Sequence, residues 1–185
     1  NILELAVKLA GSLGMRREEI CGLKWENVDL QRHLVLIREA RTAYGATIVQ
    51  KETKNRSSVR TLYLPDEVYL LLEQEQARQQ QERCLQSPTY NPTDHVILDA
   101  KGVPYSPNAL SLAFTRFVKK NDLPRLTFHG LRHTFATIAS CQGASLFDIG
   151  KALGHSTPAT TGRIYTHLVD RTHEELVQRV SDALK

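Results

Sequence analysis

Residues 129–141, HGLRHTFATIASC, combine a helical pattern with the densest group of chemically active side chains in the chain. His129 and Arg132 are three positions apart, so a helix places both on one face, about one turn apart. A guanidinium offers a planar fork to two phosphate oxygens, and an imidazole can add a hydrogen bond. The pair could therefore hold one phosphate. A second interpretation is equally good at this point: His129 caps or packs, and Arg132 forms a surface ion pair.

A metal site is a weaker reading of the same stretch. His129 and His133 lie at i and i+4, the spacing of the two histidines in HExxH zinc proteases. Gly130 stands where that motif carries its glutamate base, and no third ligand is evident. We therefore predict neither a metal nor any other cofactor.

Length and composition favour one globular domain. The chain has 185 residues, of which 41% are hydrophobic and 24% are charged, which excludes a disordered or collagen-like protein. No run approaches the roughly 18 apolar residues that span a bilayer, and the start lacks the pattern of a signal peptide. These features predict a cytoplasmic protein with no membrane partner. Three cysteines without CxxC spacing indicate small buried side chains rather than a disulfide framework.

Charge is distributed unevenly along the chain. Residues 41–60 hold five basic residues and one acidic residue, a net charge of +4, and residues 116–133 hold the same numbers. Residues 66–85 hold two basic and five acidic residues, a net charge of −3. Two basic islands and one acidic helix indicate a polarised surface with one face suited to a polyanion such as DNA.

The periodicity of apolar residues predicts an α+β fold that is mainly helical, with a small three-stranded antiparallel sheet near the N-terminus. Runs of β-branched and aliphatic residues predict the three strands, and Tyr44-Gly45 and a polar tip around residues 54–58 separate them. Helical spacing and capping residues predict the helices. The predicted strands are 34–37, 47–49 and 59–64, and the predicted helices are 2–13, 16–23, 66–85, 106–120, 129–141, one opening at Ser145, and 172–184.

Four further features carry chemically active side chains. Arg16 and Glu19 are three apart at a helix start, where a carboxylate can hold a guanidinium in place, although such pairs are also common surface decoration. Lys54 lies at the hairpin tip, where a flexible ammonium could reach DNA or simply be solvated. His155 follows Gly154 and could be an ordinary loop histidine. Tyr165 has a hydroxyl that could attack phosphorus, but a phenol with a pKa near ~10 needs nearby cations to ionise at neutral pH.

The order of these motifs is more specific than any one of them. The chain closely resembles the catalytic domain of tyrosine recombinases, the lambda-integrase family, from about Ala10 to His167, and within it the phage and conjugative-transposon integrases. The matching motifs are Gly-Met-Arg16-x-x-Glu19, Lys54 in Thr-Lys-Asn-Arg-Ser-Ser-Val-Arg60, His129-x-x-Arg132-His, Leu-Gly-His155 and Tyr165-Thr-His.

The resemblance implies a role for each matching residue in the site. Arg16 and Arg132 would bind the non-bridging oxygens of the scissile phosphate, and His129 and His155 would add hydrogen bonds as charge develops. Glu19 would hold these groups in position without itself contacting the phosphate. The resemblance therefore implies a site built from cations, without a metal.

The resemblance also implies the reaction. Tyr165 would attack the phosphorus and form a 3′-phosphotyrosyl linkage, while Lys54 would protonate the leaving 5′ oxygen, although Lys51 competes for that role. This makes the chain a DNA strand-transferase, with chemistry like that of type IB topoisomerases. Arg56 and Arg60, in the basic hairpin region, are candidate contacts to the DNA backbone.

The resemblance further implies binding partners and an additional domain outside these residues. Residues 1–185 would form a single catalytic domain, the C-terminal fragment of a longer integrase whose core-binding domain is absent. Its partners would be double-stranded DNA and other recombinase protomers in a synaptic tetramer. The amphipathic segment 172–185 either packs on its own domain or contacts a neighbouring protomer. The alternative function is a non-catalytic DNA-binding regulator on the same scaffold.

Overall fold

The computed structural model describes residues 1–44, 47–52, 59–86, 90–155 and 181. Within those ranges it contains α-helices and short β-strands, which confirms the predicted mainly helical α+β class. The predicted helix at 172–184 lies outside the described residues, apart from Ser181. The helices are α1 (Ile2–Leu13), α2 (Arg17–Gly22), α3 (Asp66–Gln86), α4 (Pro107–Lys120), α5 (Phe128–Cys141) and α6 (Leu146–Leu153). The strands are β1 (Val28–Asp29), β2 (Leu34–Ile37), β3 (Glu39–Tyr44), β4 (Thr47–Glu52) and β5 (Arg60–Tyr63).

The strands form two antiparallel units rather than the single predicted sheet. A three-stranded sheet has the order β1-β2-β5, with Ile37 opposite Arg60 and Leu34 opposite Tyr63. Strands β3 and β4 form a separate hairpin between β2 and β5 in the chain, so the strand predicted at 47–49 does not join the larger sheet. The larger sheet has three strands, as predicted. Its third strand is β1, however, and not the strand predicted at 47–49.

The core is built around α1. Its buried residues recur every three to four positions, so one stripe of the helix faces inward. Asn1 caps this helix, and its side-chain oxygen accepts a hydrogen bond from the Leu3 backbone at 3.2 Å. The stripe contacts α3, α4 and α5, which places α1 at the centre of the domain. The buried residues of the stripe are Leu5, Ala6, Leu9, Ala10 and Leu13.

Side-chain caps fix where the later helices begin. The Ser106 hydroxyl accepts from the backbone of Ala109 at 3.1 Å, with proline at the first helical position. The Ser145 hydroxyl accepts from the backbone of Asp148 at 3.1 Å. Both helix starts agree with the sequence prediction. Helix α5 starts one residue earlier than predicted, because Thr127 accepts from the Gly130 backbone at 2.9 Å.

Two other properties of the chain concern cysteines and membranes. Cys21 is buried as predicted, but Cys84 and Cys141 are exposed, so the prediction of buried cysteines is wrong for these two. Both occupy helical positions that face solvent.

Across the described residues, none of the helices combines the length and apolar character that crossing a bilayer requires.

Gly14 allows α1 to end in close contact with α5 and α6. It has a φ of 65°, in the left-handed region, and its backbone nitrogen donates to the Ala10 carbonyl at 3.1 Å. A Cβ at this position would lie 2.7 Å from the Leu153 side chain and 2.8 Å from that of Phe135. Only glycine meets both the conformational and the steric requirement. The carbonyl of Gly14 therefore reaches the region between these helices.

Alanine substitutions at two glycines of this segment should have opposite effects. Gly14→Ala should lower the free energy of unfolding by about 1 to 3 kcal/mol, because it combines a left-handed backbone with overpacking. Gly11→Ala, within α1 and with open space around its Cβ, should raise it by about 0.5 to 1 kcal/mol through helix propensity. Urea unfolding of both variants measures this. A Gly14→Ala protein as stable as the wild type would contradict the packing described for this turn.

Candidate active site

Helix α2 begins with the pairing that the sequence predicts. Arg16 is the N-cap residue, and its backbone nitrogen donates to Glu19 Oε2 at 2.8 Å. Its guanidinium Nη1 donates to Glu19 Oε1, also at 2.8 Å. A carboxylate three residues into a helix satisfies an otherwise unpaired backbone N–H and is favoured by the helix dipole. The Glu19 carboxylate therefore caps the start of α2 and also orients the guanidinium of Arg16.

A second guanidinium reaches Glu19 from β5. Arg60 Nη1 and Nη2 donate to Glu19 Oε1 and Oε2 at 3.0 and 2.8 Å, a bidentate pair. The Glu19 side chain is 2% exposed and the Arg60 side chain 6%. Burial by itself raises the pKa of Glu19, but the hydrogen bonds and charge of Arg60, with those of Arg16, lower it below its ordinary value. Glu19 is therefore a carboxylate at neutral pH, shared by two cations.

Arg132 is held by two backbone carbonyls. Its Nη1 donates to the Gly14 carbonyl at 2.5 Å, and its Nη2 donates to the Leu153 carbonyl at 2.7 Å. The residue is buried on the inner side of α5. The alternative interpretation of Arg132 as one half of a surface ion pair is therefore wrong. Its guanidinium lies where the ends of α1 and α6 meet.

The C-terminal end of α6 brings three guanidiniums together. The last carbonyls of a helix have no partner inside the helix and carry the negative end of its dipole, so cations are favoured there. Here each of three successive carbonyls accepts a hydrogen bond from a different arginine. The pairs are Ala152 with Arg60 Nε at 2.6 Å, Leu153 with Arg132 Nη2 at 2.7 Å, and Gly154 with Arg16 Nη2 at 3.2 Å.

Gly154 turns the chain at this point and presents His155. It has a φ of 64°, in the left-handed region that ends many helices. A Cβ here would lie 2.9 Å from Arg60 Nη1, so the guanidinium requires a residue without a side chain. The backbone nitrogen of His155 donates to the Gly150 carbonyl at 2.9 Å, which closes the turn. This turn places His155 close enough to Arg132, Arg16 and Arg60 for their charges to act on its imidazole.

The arginines keep His155 neutral. Partial burial lowers its pKa to about 4, and the positive charges of Arg132, Arg16 and Arg60 act in the same direction. At pH 7 its imidazole is uncharged, with one N–H donor and one acceptor nitrogen. The site therefore has its positive charge on guanidiniums and a neutral hydrogen-bonding group beside them.

His129 and His133 form a contact on the first turns of α5. Their Nε2 atoms are 2.8 Å apart, and the two rings meet edge to face with centroids 4.3 Å apart. One ring nitrogen must donate and the other accept, so the tautomers of the two histidines are linked. Burial, together with the charges of His129 and Arg132, lowers the pKa of His133. His133 thus orients His129, one turn from Arg132.

The charges of this cluster favour an anion. Arg16 and Arg60 pair with the carboxylate of Glu19, and Arg132 adds a third guanidinium, so these four groups carry a net charge of +2. Arg16 is 36% exposed at its side chain, so the positive region is open to solvent on one side. Within the described part of the chain, no three His, Cys, Asp or Glu side chains are grouped as metal ligands.

The structure unites most of the predicted site residues that it describes. Arg60, predicted as a DNA-backbone contact, lies within the cluster, and its contacts there are to protein groups. Two features of the site were not predicted from the sequence. One is the contact between His133 and His129, and the other is the set of hydrogen bonds from the arginines to the last carbonyls of α6. The residues brought together are Arg16, Glu19, Arg132 and His155, with His129 one helical turn from Arg132. Lys54, Arg56 and Tyr165 lie outside the described residues.

One signal in the sequence favoured burial of Arg60. Exposure alternates along β5, where Arg60 and Leu62 point to the covered side of the sheet while Thr61 and Tyr63 are exposed. Because strand residues two apart share a face, an arginine in register with a leucine is expected to point inward. An inward arginine needs a carboxylate or carbonyl partner, and Glu19 supplies it.

Known proteins resemble this chain over most of its length. The phage integrase family matches residues 2–172. The tyrosine recombinase XerC-like protein of Caldanaerobacter subterraneus subsp. tengcongensis is 26% identical over 188 residues, covering 94% of this chain and 48% of that protein. The ICEBs1 integrase of Bacillus subtilis is 25% identical over 171 residues, covering 92% of this chain and 46% of that protein. The chain therefore spans about half the length of these curated relatives.

A solved structure shares the fold. The Tn1549 transposon integrase, in complex with transposon right end DNA, superposes with a TM-score of 0.76 at 24% identity. The match covers 95% of this chain and 58% of that one. At this level of identity the likeness shows the fold, and it agrees with the mainly helical arrangement described above.

The pKa of His155 gives a test of the arginine cluster. The histidine should titrate near pH 4, because burial and three cations oppose its protonation. Its unfolded pKa is about 6.5, so its contribution to stability is complete above pH 6.5 and is lost as the pH falls toward 4. NMR of the imidazole Cε1 proton, assigned with His155→Asn, measures the midpoint. Arg16→Gln should raise the midpoint, whereas a wild-type value near 6.5 would contradict the described cluster.

Proposed function

Since this chain belongs to the phage integrase family, we propose that it is the catalytic domain of a site-specific DNA recombinase. It cleaves and rejoins DNA strands through a 3′-phosphotyrosyl intermediate and so integrates or excises a mobile element. The observation that carries the proposal is the meeting of three guanidiniums at the C-terminal end of one helix, where two of them also share one carboxylate. Such a preorganised group of cations suits the charge that develops on a phosphodiester during attack.

Arg16 and Arg132 bind the non-bridging oxygens of the scissile phosphate in this proposal. Both guanidiniums are fixed by protein acceptors, so little reorganisation is needed when the phosphate arrives. Two of the five N–H donors of Arg16 serve Glu19 and Gly154, and the side chain is 36% exposed. The guanidinium can therefore contact protein and phosphate together.

His129 and His155 add hydrogen bonds to the same phosphate. His155 is neutral at pH 7 and donates one N–H without bringing a further charge. His129 lies one helical turn from Arg132, and His133 holds its ring through the 2.8 Å contact between the Nε2 atoms. These donors strengthen as charge builds in the trigonal-bipyramidal transition state.

Tyr165 and Lys54 perform the bond changes. The phenolic oxygen of Tyr165 gives its proton to solvent, which the cations of the site favour, and attacks phosphorus in line. The new bond joins the tyrosine oxygen to phosphorus, and the bond from phosphorus to the 5′ oxygen breaks. Lys54 gives a proton to that leaving oxygen, which produces a 5′-hydroxyl. Attack by a 5′-hydroxyl of another strand reverses the step without ATP, as in type IB topoisomerase chemistry.

Double-stranded DNA is the proposed partner, bound by the basic surface. Basic residues at the end of α4 and after it, Lys119, Lys120 and Arg125, are exposed and add positive charge to the surface. In the proposed synaptic tetramer, segment 172–185 contacts a neighbouring protomer or packs on its own domain. DNA as the proposed substrate supports a location in the cytoplasm. Because the relatives are about twice as long, full recombination is proposed for a protein that also carries a core-binding domain.

A covalent adduct is the direct readout of this function. A library of nicked duplexes with a randomised core should yield an SDS-resistant complex, because the nick releases the strand that would reverse cleavage. Tyr165→Phe should reduce the adduct below detection, since the attacking oxygen is gone. Denaturing electrophoresis of labelled DNA measures the adduct, and sequencing the captured DNA identifies the target.

Tyr63→Phe is the matched control for this experiment. Tyr63 is a surface tyrosine, 64% exposed on β5, and its substitution should leave adduct formation unchanged. Persistence of the adduct in Tyr165→Phe would show that another residue is the nucleophile. Salt-dependent DNA binding by the wild type without any adduct would favour the non-catalytic regulator instead.

A further inference from the structure

Arg60 is buried in a way that a DNA-binding arginine is not. Its side chain is 6% exposed. Nη1 and Nη2 form the bidentate pair with Glu19, and Nε donates to the Ala152 carbonyl at 2.6 Å. All three nitrogens of the guanidinium are thus engaged with protein acceptors. Because protein covers almost all of this side chain, a contact to DNA would require the guanidinium to leave its buried ion pair, and the Glu19 carboxylate would keep Arg16 as its remaining cation.

The position of Arg60 in the chain links three parts of the site. It is the first residue of β5 and follows closely on the segment that carries Lys54. Through Glu19 it contacts the start of α2, where Arg16 is the cap. Through Ala152 it contacts the end of α6, and its guanidinium packs where a Cβ on Gly154 would lie, one residue before His155.

Arg60 also changes the electrostatics of Arg16. Glu19 carries one negative charge, and both guanidiniums lie within 3.0 Å of its oxygens. With Arg60 present, that charge is shared between two cations. Without Arg60, the whole charge would act on Arg16 and weaken its stabilisation of the charge that develops on the phosphate during attack. Arg60 therefore increases the positive charge that Arg16 can offer without touching the substrate itself.

We propose that Arg60 is a positioning residue for strand cleavage, which acts through Glu19 on Arg16 and through Ala152 on the turn that carries His155. It does not bind the DNA backbone. This inference rests on the proposed recombinase function and assigns a different role from the one that the sequence suggests for Arg60.

The experiment separates the rate of cleavage from the affinity for DNA. Arg60→Gln, Arg60→Lys and the control Arg32→Gln are compared with the wild type on a nicked duplex that the wild type cleaves. The side chain of Arg32 is 79% exposed on the turn between β1 and β2, outside the site. Two quantities are measured: the first-order rate of adduct formation at saturating DNA, and the Kd by fluorescence anisotropy over a series of salt concentrations.

A positioning role predicts a loss of rate without a loss of affinity. Arg60→Gln should slow adduct formation by about 10- to 100-fold, because a shift of about 1 Å in a catalytic group has effects of that size. Its Kd and the slope of log Kd against log salt should match the wild type. Arg60→Lys should recover only part of the rate, since an ammonium restores the charge but not the planar fork. Arg32→Gln should behave as the wild type.

A paired variant covers the case in which Arg60→Gln fails to fold. Glu19→Gln combined with Arg60→Gln removes both members of the buried pair, so neither buried charge is left without the other. Relative to Glu19→Gln, the double variant should lose less rate than an Arg60 substitution loses relative to the wild type, because the route through Glu19 is already interrupted and only the contact with Ala152 remains to be lost. Additive losses in the double variant would overturn the proposed route through Glu19.

Two other results would overturn the proposal. A weaker Kd with a salt slope reduced by about 0.9, at an unchanged rate on saturating DNA, would make Arg60 a phosphate contact. A rate equal to that of the wild type would remove any positioning role. If the wild type itself forms no adduct with any duplex of the library, the recombinase function fails and this inference falls with it. That outcome is recognisable before any Arg60 variant is made.

Discussion

The Glu19 carboxylate and the carbonyl end of α6 form one hydrogen-bonded junction on which the site depends. Glu19 holds two guanidiniums, and the α6 end accepts from these two and from Arg132. Both acceptors need such donors, since a buried carboxylate and unpaired helix carbonyls are costly without them. The same contacts that satisfy the fold therefore assemble the cations. Stability and site geometry have a common origin here.

This junction brings together segments that are far apart in sequence. Arg60 and Ala152 are 92 positions apart, and Arg132 and Gly14 are 118 apart. Two glycines with left-handed backbones, Gly14 and Gly154, remove the side chains that would obstruct the contacts. Since several cations lie close together, the neutral state of His155 limits their mutual repulsion. The arrangement gives a positive region in which each group has a fixed orientation.

Local signals in the sequence predict much of this structure, and non-local contacts account for the rest. Apolar spacing predicts α1, although not its cap at Asn1, and apolar spacing with capping residues predicts α4 and α6, because helices depend on near neighbours. The pairing of β2 with β5 was not predictable in that way, since the β3–β4 hairpin lies between them in the chain. Within the site, the i, i+3 pair of Arg16 and Glu19 follows from helix geometry.

The burial of Arg60 depends on groups that no local pattern connects to it. Its basic neighbours in the sequence favour a DNA contact, whereas the fold supplies Glu19 and Ala152 as partners. The same holds for Arg132. Its acceptors are backbone carbonyls, and a sequence motif does not reveal which carbonyls a side chain contacts. Motif order identifies the family, and tertiary contacts decide whether a basic residue faces the substrate or the protein.

A crystal structure of this chain bound to a DNA duplex that it cleaves, with Tyr165→Phe to prevent reaction, tests the account most directly. The account predicts that Arg16 and Arg132 each donate to non-bridging oxygens of one phosphate, within about 3.2 Å. His155 would donate to the same phosphate, and Arg60 would stay paired with Glu19. A structure in which Arg60 leaves Glu19 to bind the phosphate, or in which Arg16 and Arg132 contact different phosphates, would contradict it.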